Sequence, residues 1–381
     1  MRSMLLSCVG LLCAAVAMTS AQGQGSGAGP GQALDGKRLF EDETFGGNGR
    51  TCRTCHSKDT GTVSPEDAQK RFAQDPNDVL FRHDGSDDGH GHGVSRMLAD
   101  ATVLVTINLH DNVSLGDDPT ARTVTLRRGI LTTLNTPALD DVLMVDGRQP
   151  SLESQAAGAI ADHAQAAAQP LSVRHAIAEF QKTNGFFTSP VLRRFALERG
   201  PAPDLPEGRT QSEKRGRRFF ESVPPDPAEG FKPGLCGHCH SGPLLNETNQ
   251  FAEAFIGLPI PAGQRFLSVG ISEFNAALNP VREFIFFRGT PDETSILSPD
   301  LGRALVTGVL DDPTLEHVNA FKILPLRGVK LTAPYFHDNS AKTLEDVAAH
   351  YANFFNIVTF GTIVLTPEDQ RDIVAYLKLL M

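Results

Sequence analysis

The 381-residue chain has no tryptophan and only three tyrosines, six methionines and six cysteines. The missing indole excludes tryptophan from any binding or redox role. Six cysteines are too few for a disulfide scaffold of this length. Positive charge is short as well: 35 Lys and Arg stand against 45 Asp and Glu, a net charge of −10. An acidic surface argues against nucleic acid or anionic lipid as partner and suits a basic redox protein. Beyond the N-terminus no apolar run is long enough to cross a bilayer, so no integral membrane segment is expected after processing.

The N-terminus itself reads as a secretory signal peptide over residues 1–21: Arg2, an apolar stretch from Met4 to Met18, then small residues to Ala21. The stretch is short for a retained anchor, which needs ~20 residues, and neither Cys8 nor Cys13 sits in a good lipoprotein cleavage box. Export to the periplasm is the expectation, with residues 22–35 as a flexible Gly/Gln-rich lead-in. Cleavage would leave Cys52, Cys55, Cys236 and Cys239. These four form two copies of Cys-x-x-Cys-His, "CRTCH" and "CGHCH", the pattern of c-type haem attachment. Two covalently bound haem c groups are therefore expected, with His56 and His240 reaching the irons. A zinc site is the rival, but its two Cys-x-x-Cys halves usually lie ~15–20 residues apart, whereas these lie 184 apart.

The chain also repeats itself. "GKRLFE" (Gly36–Glu41) precedes the first motif and "GRRFFE" (Gly216–Glu221) the second; "DGRQPSLESQAA" (Asp146–Ala157) returns as "DNSAKTLEDVAA" (Asp338–Ala349), 192 positions on. Two echoes in the same order imply tandem copies of one haem domain. The expected fold is mostly α: two tandem cytochrome c-like domains with short β ribbons. The boundaries are residues 36–198 and 211–381, joined by a Pro/Gly linker at 199–210. Ser151 and Thr343 are expected helix N-caps. In "TPEDQRDIVAYLKLLM", Thr366 caps, Pro367 opens the helix, and Ile373, Val374, Leu377 and Leu380 make its apolar face. Thr102–Leu109 and Glu283–Phe287 alternate as strands do.

The block "PLRGVKLTAPYFHDNSAKTLEDVAAHY" (Pro325–Tyr351) resembles the signature of the bacterial di-haem cytochrome c peroxidases, including the branch that matures methylamine dehydrogenase. Together with the two haem motifs and the Asp-Gly-Arg segment of the first half, the resemblance spans most of the mature chain. It implies an exported di-haem c-type oxidoreductase, peroxidase-like, reducing peroxide or a related oxidant with electrons relayed between two haems from a small redox protein. The alternatives are a non-catalytic di-haem electron-transfer cytochrome and an oxidase of a protein or organic substrate.

The resemblance also implies site residues. The family's ligand to the second haem lies fourteen positions after the His of "APYFHD", here Tyr351. A core aromatic is the bland reading of Tyr351, and His350 is the rival ligand. The counterpart of Tyr351, 192 positions earlier, is Ala159, which has no ligating atom. The haem on His56 is thus expected to be open or loosely held. Met97, Met144 and Met381 match no ligand position. Gln155 matches the family's Gln, but ten positions on, where the family places a Glu, stands Gln165. A Gln can hydrogen-bond peroxide but cannot move its proton; Asp162 or His163 could supply that function, although His163 reads equally as an ordinary satisfied histidine.

Other features depart from the family pattern or stay open. Val145 stands where relatives often carry a Trp between the haems. The family also holds a calcium ion between its domains; Thr332 and Pro334 match its carbonyl donors, but the position of its Asn falls at Gly129 or Ile130, so calcium stays open and is not an expectation. The loop "RHDGSDDGHGHG" (Arg82–Gly93) could bind a metal, close the first haem through His83, or be a solvated Gly-rich loop. His238 reads as an exposed linker residue. Arg148 and Arg327 could pair with haem propionates or with ordinary surface carboxylates.

Overall fold

Short capped helices begin each half. Asp35 caps the helix Gly36–Glu41 through its side chain, and Thr210 caps Gln211–Arg218 with a reciprocal bond to Glu213. The computed structural model describes residues 34–183, 185, 187–287, 293–310 and 313–381. The signal peptide and most of the lead-in lie outside the described residues.

Each opening helix crosses a later one of its own half at a glycine. Gly36 meets the helix Leu171–Thr183, and Gly216 meets the closing helix Pro367–Leu377. The expected caps are present. Ser151 opens Leu152–Gly158, Thr343 opens Leu344–Val358 and Thr366 opens Pro367–Leu377, each in a reciprocal capping box. Ile373, Val374, Leu377 and Leu380 are all buried, packed with Phe219, Phe220 and Leu344.

The two echoes in the sequence have a conformational counterpart. An isolated bridge joins Leu143 to Gln149, and another joins Tyr335 to Ala341, 192 positions on. Inside these loops Met144 (φ 68°) and Phe336 (φ 71°) share the left-handed conformation, as do Gly147 (φ 71°) and Asn339 (φ 59°). Non-glycine residues seldom adopt this conformation, so its recurrence at matched positions goes beyond likeness of composition.

The expectation of a mostly α protein needs correction. Helix makes up 35% of the structure, and the regular remainder is small sheets. With 35 glycines and 25 prolines in the chain, few segments can sustain a long helix. Thr102–Asn108 pairs antiparallel with Thr123–Gly129, and Phe266–Leu267 pairs with Phe321–Lys322. The third sheet takes Val113–Leu115 from the first half and lays it against Arg282–Phe287, which pairs in turn with Glu293–Ser298. Its inner residues Phe284 and Phe286 share a core with Met97, Val105 and Leu126. From Asp35 to Met381 the chain packs as one unit. Residues 201–208 are irregular yet tied down: Pro206 O accepts from the Tyr376 hydroxyl at 3.0 Å and Pro203 O from Arg327 Nη2 at 2.5 Å.

Candidate functional site

Both Cys-x-x-Cys-His motifs face one cavity of about 880 Å³, lined by Cys52, Cys55 and His56 and by Cys236, Cys239 and His240. The first motif is a single helical turn, Cys52–Cys55, capped by Thr51; the second is a run of turns. Their histidines are nevertheless held alike. His56 Nδ1 donates to Gly61 O at 2.8 Å and His240 Nδ1 to Leu245 O at 2.9 Å, each five residues on. Burial pushes the His56 imidazole down to about 4 and lowers that of His240, with the accepting carbonyl only partly offsetting it. Both rings are therefore neutral, with the proton on Nδ1 and the Nε2 lone pair free, the form in which histidine binds a metal.

The four thiols are free. Burial raises Cys52 to about 12 and Cys239 to about 12, and raises Cys55 and Cys236 as well. Among the described residues no three His, Cys, Asp or Glu side chains converge as a metal site, so the two cysteine pairs do not assemble the tetrahedral set that zinc requires. Paired thiols beside a neutral, oriented imidazole on the wall of a largely apolar cavity fit two covalently attached haems.

The two ends of the cavity differ. Tyr351 lines it at the His240 end, and burial, then the nearby Cys239 and Cys236, hold its phenol above the ordinary range. His350, the rival, points elsewhere: its Nε2 bonds Val269 O at 3.0 Å and the residue does not line the cavity. Ala159, the counterpart of Tyr351, lines the His56 end together with Gln155 and His163. Gln165 does not. It is exposed, its Oε1 accepting from Asn48 Nδ2 at 3.4 Å and its Nε2 meeting His83 Nδ1 at 3.1 Å. The helix from Leu152 loosens into a π turn at Ala159–His163 and ends at Ala164, and Gln165 follows in the left-handed conformation, φ 52°.

Other expected roles shift too. His83 is engaged with Gln165 and lies off the cavity wall. Arg148 lines the cavity and bonds Asp146, whereas Arg327 is held by the carbonyls of Pro243 and Pro203. His238 is not an exposed linker residue: it is fully buried against Phe255, its Nε2 bonded to Val223 O. Gly129 has no side-chain oxygen to offer calcium, and the room beside its backbone is taken by Asn339, whose Oδ1 would stand 2.2 Å from a Cβ there.

Sequence reasoning missed several residues. Asp84 and Arg50 form a buried pair behind His163. On the cavity wall, with Val145, His337 stacks on Phe321 with ring centroids 3.5 Å apart. Arg128, also on the wall, is clamped by Asp300 at 2.9 Å and Asp146 at 2.5 Å.

Comparison with known proteins follows the same lines. The model of the di-haem cytochrome c peroxidase family matches residues 32–190, which carry the first motif, Gln155 and His163. Over that stretch the chain is similar to the di-haem cytochrome c peroxidases. The cytochrome c551 peroxidase of Nitrosomonas europaea is 30% identical over 154 residues, 39% of this chain and 31% of that one. The enzyme of the same name from Pseudomonas aeruginosa is 40% identical over 87 residues, 23% of this chain and 22% of its own. The matches thus span less than a third of these relatives. A solved MauG-like protein associated with microbial copper homeostasis overlays 91% of this chain and 86% of its own at 19% identity, with a TM-score of 0.47. Among the described residues no helix is long and apolar enough to cross a membrane.

Proposed function

We propose that the chain is an exported di-haem c-type oxidoreductase that reduces peroxide or a related small oxidant, built from two copies of one haem module. Cys52 and Cys55 would hold one haem, Cys236 and Cys239 the other, with His56 and His240 as iron ligands. The haems, when bound, supply the redox chemistry, drawing electrons from a small redox protein.

The observation that carries this reading is the inequality of the cavity's two ends. Tyr351 brings a phenol oxygen to the His240 end, and Ala159 brings no donor atom to the His56 end. A haem that His56 alone holds would admit an oxidant, whereas one that Tyr351 also ligates would suit electron storage, and the phenolate oxygen would favour the ferric state. Gln155 and His163 are among the polar side chains that line the cavity with Ala159 and His56. Gln155 can orient the oxidant by hydrogen bonding, and His163 can exchange a proton with it. Gln165, facing away, takes no part. The apolar remainder of the wall excludes bulk water and strengthens both interactions.

The test is peroxide consumption by the haem-loaded protein, supplied with a reduced small c-type cytochrome. Turnover well above that of free haem supports the reading. Turnover no faster than free haem, with both irons six-coordinate, would reduce the protein to a carrier.

A further inference from the structure

We propose that His163 and Asp84 form the proton-transfer dyad of the His56 end of the cavity, with Arg50 as their anchor. The inference rests on the open-site reading above and names the groups that would serve it.

The three side chains form a buried chain. Arg50 is 2% exposed and Asp84 4%. One Asp84 oxygen accepts from Arg50 Nη1; the other accepts from His163 Nδ1 at 2.5 Å. Burial alone would raise the Asp84 carboxyl, but His163 and then Arg50 outweigh it and hold it below its ordinary value. Arg50 gives its other donors to the carbonyls of Val79 at 2.9 Å, Leu80 at 2.8 Å, Arg82, and His163 itself at 3.3 Å. Ring and backbone of His163 are thus tied to one assembly. Arg50 also directly precedes Thr51, the cap of the Cys52–Cys55 turn, so only one residue separates the assembly from the first haem motif.

An ordinary surface histidine does not carry such support. Burying an ion pair costs several kcal/mol of desolvation unless its geometry is well satisfied, and here every described partner is in place. With Nδ1–H donated to Asp84, the lone pair lies on Nε2, for which no hydrogen-bond partner is found among the described residues. His163 lines the cavity with Cys55, His56 and Ala159. A carboxylate behind one ring nitrogen and a free lone pair on the other is the arrangement of a general base.

With hydrogen peroxide as oxidant, His163 Nε2 would take a proton from one peroxide oxygen and deliver it to the other, which would leave as water when the O–O bond breaks; the haem held by Cys52, Cys55 and His56 would supply the redox chemistry of that cleavage. The complete reaction is H2O2 + 2H+ + 2e− → 2H2O, both electrons coming from the reduced donor protein. The charged and titratable groups around His163 are Asp84 and Arg50 behind it, His56 across the cavity, and Asp162 beside it on the same turn, with Arg148 near Asp162.

The test uses the haem-loaded protein and two readouts, peroxide reaction rate and cyanide association with the ferric form, each followed against pH. Cyanide enters as HCN and must give up its proton, so its uptake reports the base without turnover. His163→Gln should slow both by on the order of 10²–10⁴-fold and flatten the pH dependence of cyanide uptake. His163→Glu should restore a pH-dependent uptake. Asp84→Asn should slow both by less, because His163 stays while the carboxylate that fixes its tautomer and orientation is lost. His163 is 32% exposed in its side chain, so its variants keep the test open even if Asp84→Asn fails to fold. Wild-type cyanide uptake that persists unchanged in His163→Gln would overturn the dyad alone. No uptake by the wild type would overturn the open-site reading as well.

Discussion

Gly36 and Gly216 make the same close helix crossing in the two halves. A Cβ on Gly36 would lie 2.1 Å from Ala176 O, and one on Gly216 would lie 2.0 Å from Asp372 O. Neither partner atom is a flexible side-chain tip; both are backbone carbonyls, so the helices must part to admit a methyl group.

Gly216→Ala should therefore destabilise the protein, although alanine in a helix is ordinarily worth about 0.5–1 kcal/mol over glycine. Overpacking at such a contact costs about 1–3 kcal/mol, read as a lower denaturant midpoint at unchanged slope. Gly200→Ala is the control: its nearest neighbour would stand 3.8 Å away, and the midpoint should hold. Equal midpoints for the two variants would refute the close crossing.

The motifs predict a countable cofactor loss. Serine at Cys52 and Cys55 should remove one covalently bound haem from the protein mass, and serine at Cys236 and Cys239 the other. Each change should leave the partner haem attached. An unchanged mass difference would show that these cysteines do not make the thioether bonds.

Acid stability has a named source. Asp146 is fully buried, and although burial raises its carboxyl, Arg128 and Arg148 outweigh it and hold it below the ordinary carboxylate range. Since the folded-state value lies below the unfolded one, the ionised carboxylate stabilises the fold at neutral pH. That contribution is lost as pH falls below about 4 and through the folded value. Asp146→Asn should thus show a shallower loss of stability on acidification than the wild type. Arg128→Met, which leaves Asp300 buried without its guanidinium and Asp146 with Arg148 alone, should cost about 3–5 kcal/mol at neutral pH. Denaturant midpoints measured across pH check both; parallel curves for wild type and Asp146→Asn would contradict the assignment.

Where the sequence was legible, the signal was local or periodic. Ser151, Thr343 and Thr366 announce their helices because a capping box lies within four residues. The 192-residue echo reappears in the paired φ values of Met144 and Phe336. Tyr351 lines the cavity from within the capped helix Leu344–Val358. Gln165 does not line it: the helix after Gln155 loosens into a π turn and ends at Ala164, one residue before it. Asp84 was hidden for a different reason: its partner His163 lies 79 positions away, and nothing local singles out that carboxylate among its neighbours. The pairing of Val113–Leu115 with Arg282–Phe287 is likewise non-local.

The unequal iron sites are tested most directly by low-temperature electron paramagnetic resonance of the ferric protein, wild type beside Tyr351→Ala. The account predicts one high-spin and one low-spin haem in the wild type, with the low-spin signal lost or replaced in the variant. Two low-spin signals in the wild type, or a low-spin signal unmoved by loss of the phenol, would contradict it.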